Sequence, residues 1–493
     1  MTTLVSKYKN AFFYVGKLLQ MVSFVMVMPL LSLLFYPEEF KESLYFLLTA
    51  IILLMFSRFL IYINKETQHQ KLVKGEDAII VVFTWLLTMF FSSLPFVFSQ
   101  QLPWFHAMFE AISGWTTTGL SVVDVESIPK IYLMFRSIIQ FFGGVGLVLV
   151  FFALLSETFG LRLYYAEGHN DRLLPNLKKS ARVVMKIYLF YLVVGILLLV
   201  FAKMPFFDAI NIAMTSLSTG GFAITNASIA SYNSSMIESI IIVLMLLGAT
   251  NFAGHLLLFS KKFKQFIATN EIKYVVVAVI GLTSILMMLS FQSQSITIRI
   301  ALFEAVSAIT TTGFTITSYT YWPATFVVLL VLFMIIGGGS GSTAGGIKQL
   351  RAIMIFKSIA LSMQKRFLPN QVVKDIIIDK GNGKQPVDDK GVLEVFHFIA
   401  IYLFLLLIGT LVIAMHGYSL EHSLFEFASA LGTVGTSVGI TSIDAPKGVL
   451  FVEMIGMFFG RLEIMVVLLA FLGSVKDITK IVNLRVFKDE QRN

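Results

Sequence analysis

The chain has 493 residues and a formal net charge of +9, and it contains no cysteine. Hydrophobic residues make up 57% and charged residues 14%, whereas ordinary globular proteins have roughly 45–50% and about 25%. This composition excludes a soluble globular protein, because a soluble core needs a polar surface to cover it, and the missing cysteines exclude disulfides and thiolate metal sites. The solvent for most of the chain is therefore lipid.

Apolar stretches long enough to cross a bilayer, about 20 residues each, recur along the whole chain. The first follows three lysines and resembles a signal peptide. It is too long for the hydrophobic region of such a peptide and has no small-residue cleavage site, so we assign it as a span. The predicted spans are at about 18–36, 43–63, 77–98, 131–155, 184–202, 236–259, 274–290, 323–336, 396–415 and 449–472.

Lysine and arginine are concentrated in alternate connections between these spans. The positive-inside rule places the basic connections and both termini in the cytoplasm. A nucleic-acid surface is the weaker interpretation, because the charges are scattered over short loops rather than gathered in one domain. The basic connections carry Lys65, Lys71 and Lys74; Arg162, Arg172, Lys178, Lys179, Arg182 and Lys186; Lys261, Lys262 and Lys264; and the basic residues of 348–390 and the tail.

A short motif recurs between pairs of spans. Residues 109–119 read FEAISGWTTTG, residues 303–313 read FEAVSAITTTG and residues 425–435 read FEFASALGTVG. They align without gaps, from the glutamate to the last glycine. A fourth, weaker copy, NIAMTSLSTGGF at 211–222, has Ile212 where the others have glutamate. We therefore predict four copies of one unit, each made of a span, a half-length helix, a small polar turn and a second span.

The charge bias puts all four turns on the outer side of the membrane. A helix that enters from outside and ends at mid-membrane directs the partial negative charge of its C-terminus inward. The irregular backbone after it is tolerated at that depth only if it is buried or lines a water-filled path. Four such turns around one axis would form rings of backbone carbonyls, which replace the hydration shell of a monovalent cation. A plain re-entrant turn is the alternative, and four copies in matched positions favour the pore.

The predicted selectivity filter takes four residues from each unit. Glycine permits the backbone angles that turn carbonyls toward the axis, and threonine is small and hydrogen-bonds to its neighbours behind the filter. The predicted filter residues are Thr116, Thr117, Thr118, Gly119, Ser218, Thr219, Gly220, Gly221, Thr310, Thr311, Thr312, Gly313, Gly432, Thr433, Val434 and Gly435.

The segment GGGSGSTAGGIK at 337–348 interrupts an apolar run in the second span of the third unit. It is not a phosphate loop, because Ile347 follows Gly346, and spans surround it where a dinucleotide site needs a βαβ unit. We predict a broken helix below the filter that acts as a gate, with close packing of helices by glycine as the alternative. The predicted gate residues are Gly337, Gly338, Gly339, Ser340, Gly341, Ser342, Thr343, Ala344, Gly345, Gly346 and Arg461.

Arg461 lies near the middle of the last predicted span. An arginine at mid-membrane costs at least ~2.5–3.5 kcal/mol on insertion scales, so it needs a partner or a watery surface. We predict that it faces the pore or the gate and sets a barrier to conduction. The alternative is a structural ion pair, for which Glu453 is available.

Other polar residues within the spans have two interpretations each. Glu110, Glu304 and Glu426 either concentrate cations or bond to neighbouring backbone and serine groups. Asn251 and His255, four positions apart, are predicted to hold helices together by hydrogen bonds. A metal site at His255 has little support, because no second group of ligands accompanies it.

Several of these segments together resemble one known family. The turns TTTGL, STGGF, TTTGF and TVG, the glycine-rich segment and FGRLE at 459–463 are similar to the membrane subunit of Trk-type potassium uptake systems, in the Trk/Ktr/HKT superfamily. YYAEGHNDRLLPN at 164–176 also resembles the cytoplasmic loop of the Trk branch. The resemblance covers essentially the whole chain.

The resemblance implies an all-α polytopic membrane protein, with four concatenated helix–pore-helix–filter–helix units around one pore plus two N-terminal transmembrane helices. It implies potassium as the transported ion, no enzymatic reaction, no cofactor, a location in the cytoplasmic (inner) membrane, and a homodimer among membrane lipid. The expected partner is a cytoplasmic nucleotide-binding regulatory subunit similar to TrkA, placed at the basic segments 157–186, 348–390 and 476–493; no nucleic acid is expected. The unit boundaries are 1–70, 71–160, 178–262, 270–362 with its gate loop at 337–346, 391–475 and 476–493.

Glycine in all four aligned turns favours potassium, since sodium-conducting relatives commonly have serine in the first. Unit 2 lacks the glutamate, and the fourth turn, Gly432 to Gly435, has fewer threonines. A sodium-permeable or cation-coupled symporter of the same superfamily is therefore the alternative function. An alternating-access transporter predicts inverted repeats, and a membrane enzyme predicts facing His, Asp or Glu clusters; the sequence shows neither.

Overall fold

The structure, a computed structural model, describes residues 2–67, 75–146, 177–290, 296–319, 322–367, 375–379 and 384–490. The Trk-like segment 164–176 and the end of the predicted span 131–155 lie outside the described residues. The described chain is helical apart from one short hairpin and the turns. The all-α architecture predicted from the sequence is confirmed.

Two leading helices precede the repeated units. Helix α1 (Thr2–Val25) continues into a 3₁₀ helix at Met28–Leu34, and α2 (Phe40–Ile63) runs back beside it. The predicted first span, 18–36, began too late, because the lysines before it form the first turns of α1. The helices approach closely at Gly16, where an added Cβ would lie 2.9 Å from the Ser57 carbonyl oxygen.

Unit 1 consists of a helix, a half-length helix and a second helix. These are α3 (Glu76–Phe98), α4 (Trp104–Trp115) and α5 (Lys130–Val145). Nearly every residue of α5 is buried, because α5 packs against its own half-length helix and against that of unit 2.

Unit 2 repeats this order with α6 (Leu177–Phe201) and α7 (Phe206–Leu217), but its last span is broken. Helices α8 (Ser235–Ala249) and α9 (Phe252–Phe259) meet at 110°. The span predicted at 236–259 is therefore bent, because the Asn251 side chain accepts a hydrogen bond from an N–H at the start of α9 and caps that helix.

The two polar residues of this region therefore differ in role. His255 lies 3.1 Å from the hydroxyl of Tyr191 on α6, so it joins two helices as predicted. Asn251 instead accepts from the N–H of Ala253 at 2.7 Å and begins the second half of the broken span.

Unit 3 follows a connecting helix, α10 (Phe263–Ala268). It contains α11 (Asn270–Ser290), α12 (Ile298–Ile309) and α13 (Ala324–Ile335), and after an irregular loop the chain enters α14 (Gln349–Lys365). Helix α13 has only 12 residues, so the run predicted as a span at 323–336 stops at the glycine-rich loop.

Unit 4 follows an antiparallel hairpin of two strands, in which Ile376 pairs with Val387. Its last span is also broken, with a bend of 104° after Arg461. The span predicted at 449–472 is therefore bent rather than straight. The elements are β1 (Ile376–Asp379), β2 (Lys384–Val387), α15 (Asp389–Ala414), α16 (Leu420–Leu431), α17 (Lys447–Arg461) and α18 (Ile464–Glu490).

The half-length helices α4, α7, α12 and α16 are the clearest sign of the repeat. Each has 12 residues, which gives about 18 Å of helix, against a hydrocarbon core of about 30 Å. Six of the described helices are long and apolar enough to cross a membrane, or up to eight if each bent pair is counted as one span. Each half-length helix is therefore too short to cross the membrane.

Helix packing in unit 4 leaves no room for a side chain at Gly409. A Cβ there would overlap the ring of Phe427 on α16. We expect Gly409→Ala to lower the free energy of unfolding by about 1–3 kcal/mol, the usual effect of overpacking, measured as a lower thermal midpoint in detergent. Gly281→Ala is the matched control, since a Cβ there meets nothing within 4 Å. Equal midpoints for the two variants would contradict this packing.

Candidate ion filter and gate

The four predicted filter turns share one backbone conformation. In each turn the first residue is right-handed helical, the second has a φ between 49° and 55°, and the fourth is a glycine with a φ between 71° and 95°. A threonine with positive φ is strained and persists only where its surroundings fix it. The same backbone hydrogen bond fixes the turn in every unit, because the N–H of the third residue donates to a carbonyl oxygen of the half-length helix at 2.8–3.0 Å. The pairs are Thr118 with the Ser113 carbonyl, Gly220 with Thr215, Thr312 with Ser307, and Val434 with Ser429.

Each filter glycine lies against a backbone carbonyl of the next unit. A Cβ added to Gly119 would overlap the carbonyl oxygen of Gly220, which belongs to unit 2. The remaining three contacts are of the same kind: Gly221 against Thr312, Gly313 against Val434, and Gly435 against Thr118. The contacts run from unit 1 through units 2, 3 and 4 and back to unit 1. The four turns therefore form a closed ring.

Hydroxyl groups support the ring from behind in units 1 and 3. The Thr116 hydroxyl lies 2.7 Å from that of Thr118, and the Thr310 hydroxyl lies 2.7 Å from that of Thr312. In units 1 and 4 a serine hydroxyl of the half-length helix accepts a hydrogen bond from the filter glycine N–H, at 3.1 and 3.0 Å. Thr116, Thr118, Thr310 and Thr312 are fully buried, so their hydroxyls bond within the protein rather than to solvent.

A cavity of about 530 Å³ opens on one side of the ring, and all four filter glycines line it. Asn226 also lines the cavity, and its side-chain amide donates to the carboxylate of Asp124 at 2.8 Å. This hydrogen bond lowers the pKa of Asp124 and joins the loops of units 1 and 2. The cavity gives a small ion open access to one face of the ring.

The three repeated glutamates hold the chain that leaves each turn. In each unit the fully buried carboxylate accepts from a backbone N–H twelve positions later and from a hydroxyl eleven positions later. Of the two interpretations, this geometry is that of a carboxylate bonded to neighbouring groups. The sets are Glu110 with Val122 and Ser121, Glu304 with Ile316 and Thr315, and Glu426 with Val438 and Ser437.

Each carboxylate has a further partner, and these partners differ. Arg136 of α5 donates to Glu110 at 2.5 Å, and both side chains are buried. The Tyr319 hydroxyl donates to Glu304. The Thr441 hydroxyl, bonded to Glu426 at 2.5 Å, also lies 3.2 Å from Glu453, so Glu453 belongs to this network.

Unit 2 has no such glutamate, and a residue from unit 1 bonds to the chain that leaves its turn. Arg136 donates to the Ala223 carbonyl at 3.2 Å, and its guanidinium lies 3.9 Å from the centre of the Phe222 ring. The free-energy cost of placing an arginine in the membrane applies to Arg136 as it does to Arg461, because Arg136 also lies within a predicted span. That signal was present in the sequence and was missed.

The glycine-rich loop lies directly against the ring. A bridge between Ile336 and Ile347 closes the loop at its base. The Thr343 hydroxyl lies 3.0 Å from that of Thr219, and the Gly345 N–H donates to the Thr311 hydroxyl at 2.9 Å. The loop thus bonds to the second residue of two filter turns, Thr219 and Thr311, neither of which lines the cavity.

Loop 337–346 also contacts the broken span of unit 2. The Gly339 N–H donates to Ala249 at 2.9 Å, and the Phe252 N–H donates to Gly341 at 3.2 Å. The Ala249 carbonyl and the Phe252 N–H both lie beside the bend between α8 and α9 in unit 2. The loop and this bend therefore form one packed region.

Arg461 binds the loop, although it lies at the end of a helix rather than in the middle of a span. Its guanidinium donates to the carbonyl of Thr343 at 3.2 Å and to those of Gly143 and Gly144, the latter at 3.0 Å. The Lys348 ammonium donates to the Ala344 carbonyl. Two cationic groups therefore hold the loop by its backbone oxygens.

The TrkH family of cation transport proteins has a model that matches residues 43–477. The chain belongs to this family. Its membrane helices and four repeated units are those of a transport protein.

Several TrkH relatives match over nearly their whole length. The Trk system potassium uptake protein TrkH of Salmonella typhimurium is 30% identical over 479 residues, which cover 93% of this chain and 97% of that protein. An uncharacterized cation transporter of Methanocaldococcus jannaschii is 29% identical over 461 residues, 92% of this chain and 94% of that protein. The crystal structure of the potassium transporter TrkH from Vibrio parahaemolyticus has a TM-score of 0.82 at 27% identity, covering 94% of this chain and 98% of that one.

Because the glutamates have different partners, we expect their replacement by glutamine to lower the free energy of unfolding by different amounts. Glu110→Gln leaves the buried guanidinium of Arg136 without its carboxylate, which costs about 3–5 kcal/mol of unfolding free energy. Glu304→Gln is the matched control, because its amide oxygen still accepts from the Ile316 N–H and the Tyr319 hydroxyl can rotate to accept from its amide nitrogen. Thermal midpoints of the two purified variants measure the difference. A larger loss for Glu304→Gln than for Glu110→Gln would show that Arg136 is not the decisive partner.

Proposed function

We propose that this protein conducts potassium ions across the cytoplasmic membrane into the cell, through the ring of four filter turns. The observation that carries the proposal is the closed cycle in which each filter glycine meets a carbonyl of the next unit. Backbone carbonyls in such a ring replace the hydration shell of a potassium ion. Each half-length helix also ends at the ring with its partially negative C-terminus, which favours a cation.

The choice of potassium rests on two further points. All four turns have glycine at the fourth position, so no side chain enters the ring there. The Salmonella typhimurium relative is named a potassium uptake protein, and the Vibrio parahaemolyticus structure is named a potassium transporter. A sodium-permeable or cation-coupled transporter of the same family is the second candidate, because units 2 and 4 depart from the TTTG pattern.

Uptake in a host without its own potassium transporters tests the proposal. We expect the protein to restore growth at low potassium and to admit radioactive rubidium faster than sodium. Equal sodium uptake supports the sodium-permeable alternative, and uptake abolished by collapsing an ion gradient at fixed membrane potential supports symport. If neither cation enters, with or without a regulatory subunit, the proposal is wrong.

Gly119→Ser tests the filter assignment directly. Its side chain would overlap the Gly220 carbonyl, and its φ of 95° disfavours any residue other than glycine. We expect potassium-over-sodium selectivity to fall at least about tenfold, equal to ~1.4 kcal/mol of differential binding. Gly417→Ser is the matched control, because Gly417 has the same φ of 95° and nothing within 4 Å of an added Cβ. A selective Gly119→Ser variant would place the filter elsewhere.

Loop 337–346 and Arg461 form the proposed gate. Supporting this, the loop bonds to Thr219 and Thr311 of the ring, and Arg461 holds the loop at the Thr343 carbonyl. A fixed positive charge beneath a cation filter also raises the barrier to cation passage.

Removing the guanidinium should loosen this gate. We expect Arg461→Ala to raise rubidium uptake in the absence of any regulator about tenfold, the effect of ~1.4 kcal/mol of lost loop binding. Arg58→Ala is the control, since Arg58 is exposed on α2. Uptake and regulation identical to the unmodified protein would remove Arg461 from the gate.

The assembly we propose is a homodimer with both termini in the cytoplasm and a nucleotide-binding regulatory subunit similar to TrkA. The Trk-system relatives support the regulator, and the basic segments 157–186, 348–390 and 476–493 are its proposed contacts. Mass measurement in detergent and cross-linking to that subunit test these points. A monomeric mass, or a C-terminal reporter active outside the cell, would contradict them.

A further inference from the structure

The second filter turn has a glycine where the other three have a side chain. Gly220 aligns with Thr118, Thr312 and Val434 at the third position. The φ of Gly220 lies outside the left-handed region, unlike that of Gly221. The backbone would therefore accept a side chain at Gly220, and another constraint must explain the glycine.

The side chain of Gln140 occupies the space that a side chain at Gly220 would need. A Cβ on Gly220 would lie 2.5 Å from both Cδ and Oε1 of Gln140. Gln140 comes from α5 of unit 1, and it is fully buried. A residue of one unit thus fills the back of the filter turn of the next.

The amide of Gln140 bonds to the turn at two points. Its Nε2 donates to the Gly220 carbonyl at 2.7 Å, and its Oε1 accepts from the Phe222 N–H at 3.1 Å. Only this orientation of the amide satisfies both groups, because one partner is an acceptor and the other a donor. Gln140 therefore holds the backbone on both sides of Gly221.

The carbonyl held by Gln140 is part of the ring. The Gly220 oxygen is the one against which Gly119 packs, so its position affects units 1 and 2 together. In units 1 and 3 a pair of threonine hydroxyls, 2.7 Å apart, supports the third residue. Gly220 has no hydroxyl to form such a pair.

We propose that Gln140 is a positioning residue for the selectivity of the filter, standing in for the third side chain that the second turn lacks. This inference rests on the proposed function. Gln140 fixes the Gly220 carbonyl oxygen at the same distance from the pore axis as the carbonyl oxygens of the other three turns. Its own side chain does not enter the pore. Gln140 and Gly220 then form a complementary pair, in which a change at one position is tolerated only with a change at the other.

Selectivity of uptake, measured as the ratio of rubidium to sodium influx per inserted molecule, tests the pair. We expect Gln140→Met, which keeps the volume and removes both bonds, to lower the ratio about tenfold, the effect of about one net hydrogen bond. Gln140→Glu keeps an acceptor for Phe222 but replaces the donor to Gly220 with a carboxylate oxygen, which repels that carbonyl and adds a buried charge, so it should lower the ratio as well. Ser137→Ala is the control on the same helix, because the Ser137 hydroxyl bonds only its own helix at Leu133.

A double variant separates positioning from general packing. Gly220→Thr alone collides with Gln140 and should lose selectivity. The double variant, Gln140→Ala with Gly220→Thr, makes room for the threonine and recreates a hydroxyl pair with Ser218. Its ratio should therefore exceed that of Gln140→Ala alone and that of Gly220→Thr alone. Such recovery is the non-additivity expected of directly interacting residues.

The outcomes distinguish this inference from the proposed function. If the unmodified protein moves no rubidium, the proposed function fails. If it is selective and folded Gln140→Met and Gln140→Glu are equally selective, Gln140 is not a positioning residue. Should Gln140→Met or Gln140→Glu fail to insert, the double variant decides: a ratio no better than that of Gly220→Thr overturns the pairing.

Discussion

The contact between each filter glycine and a carbonyl of the neighbouring unit constrains the whole molecule. It leaves no space for a Cβ at Gly119, Gly221, Gly313 or Gly435, so four separate stretches of chain must meet at one place. The half-length helices deliver them there, since 12 residues reach about halfway through the bilayer. The longer helices surround this arrangement and provide the surface that contacts the lipid.

The ring is nearly symmetric, but its supports are not. Glu110 is paired with an arginine, Glu304 with a tyrosine, and Glu426 with a threonine shared with Glu453. Unit 2 has no such glutamate and depends on Arg136 and Gln140 from unit 1. Four copies in one chain are free to diverge in this way, because each position behind the filter is encoded once per unit. A shared backbone geometry is thus maintained by different side chains.

Much of this architecture was predictable from the sequence, because the glutamate-to-glycine spacing is local and survives in three units. The break in the helix at 337–346 was also predictable, since a run of glycines within an apolar segment does not form an ordinary span. The bends at Asn251 and Arg461 were not, because a helix cap and a helix interior look alike in an apolar run. The partners of Arg136 and Gln140 depend on contacts between distant segments, which spacing along the chain does not encode.

The bonds from loop 337–346 to Thr219 and Thr311 join two parts that would otherwise work independently. If the loop moved away as the proposed gate, the Thr219 and Thr311 hydroxyls would lose their partners in the loop and would be free to bind water or an ion. Loop release and ion occupancy there are then thermodynamically linked, so each favours the other by the same free energy. In the proposed function, an ion that reaches the ring from one side of the membrane would then weaken the barrier on the other side.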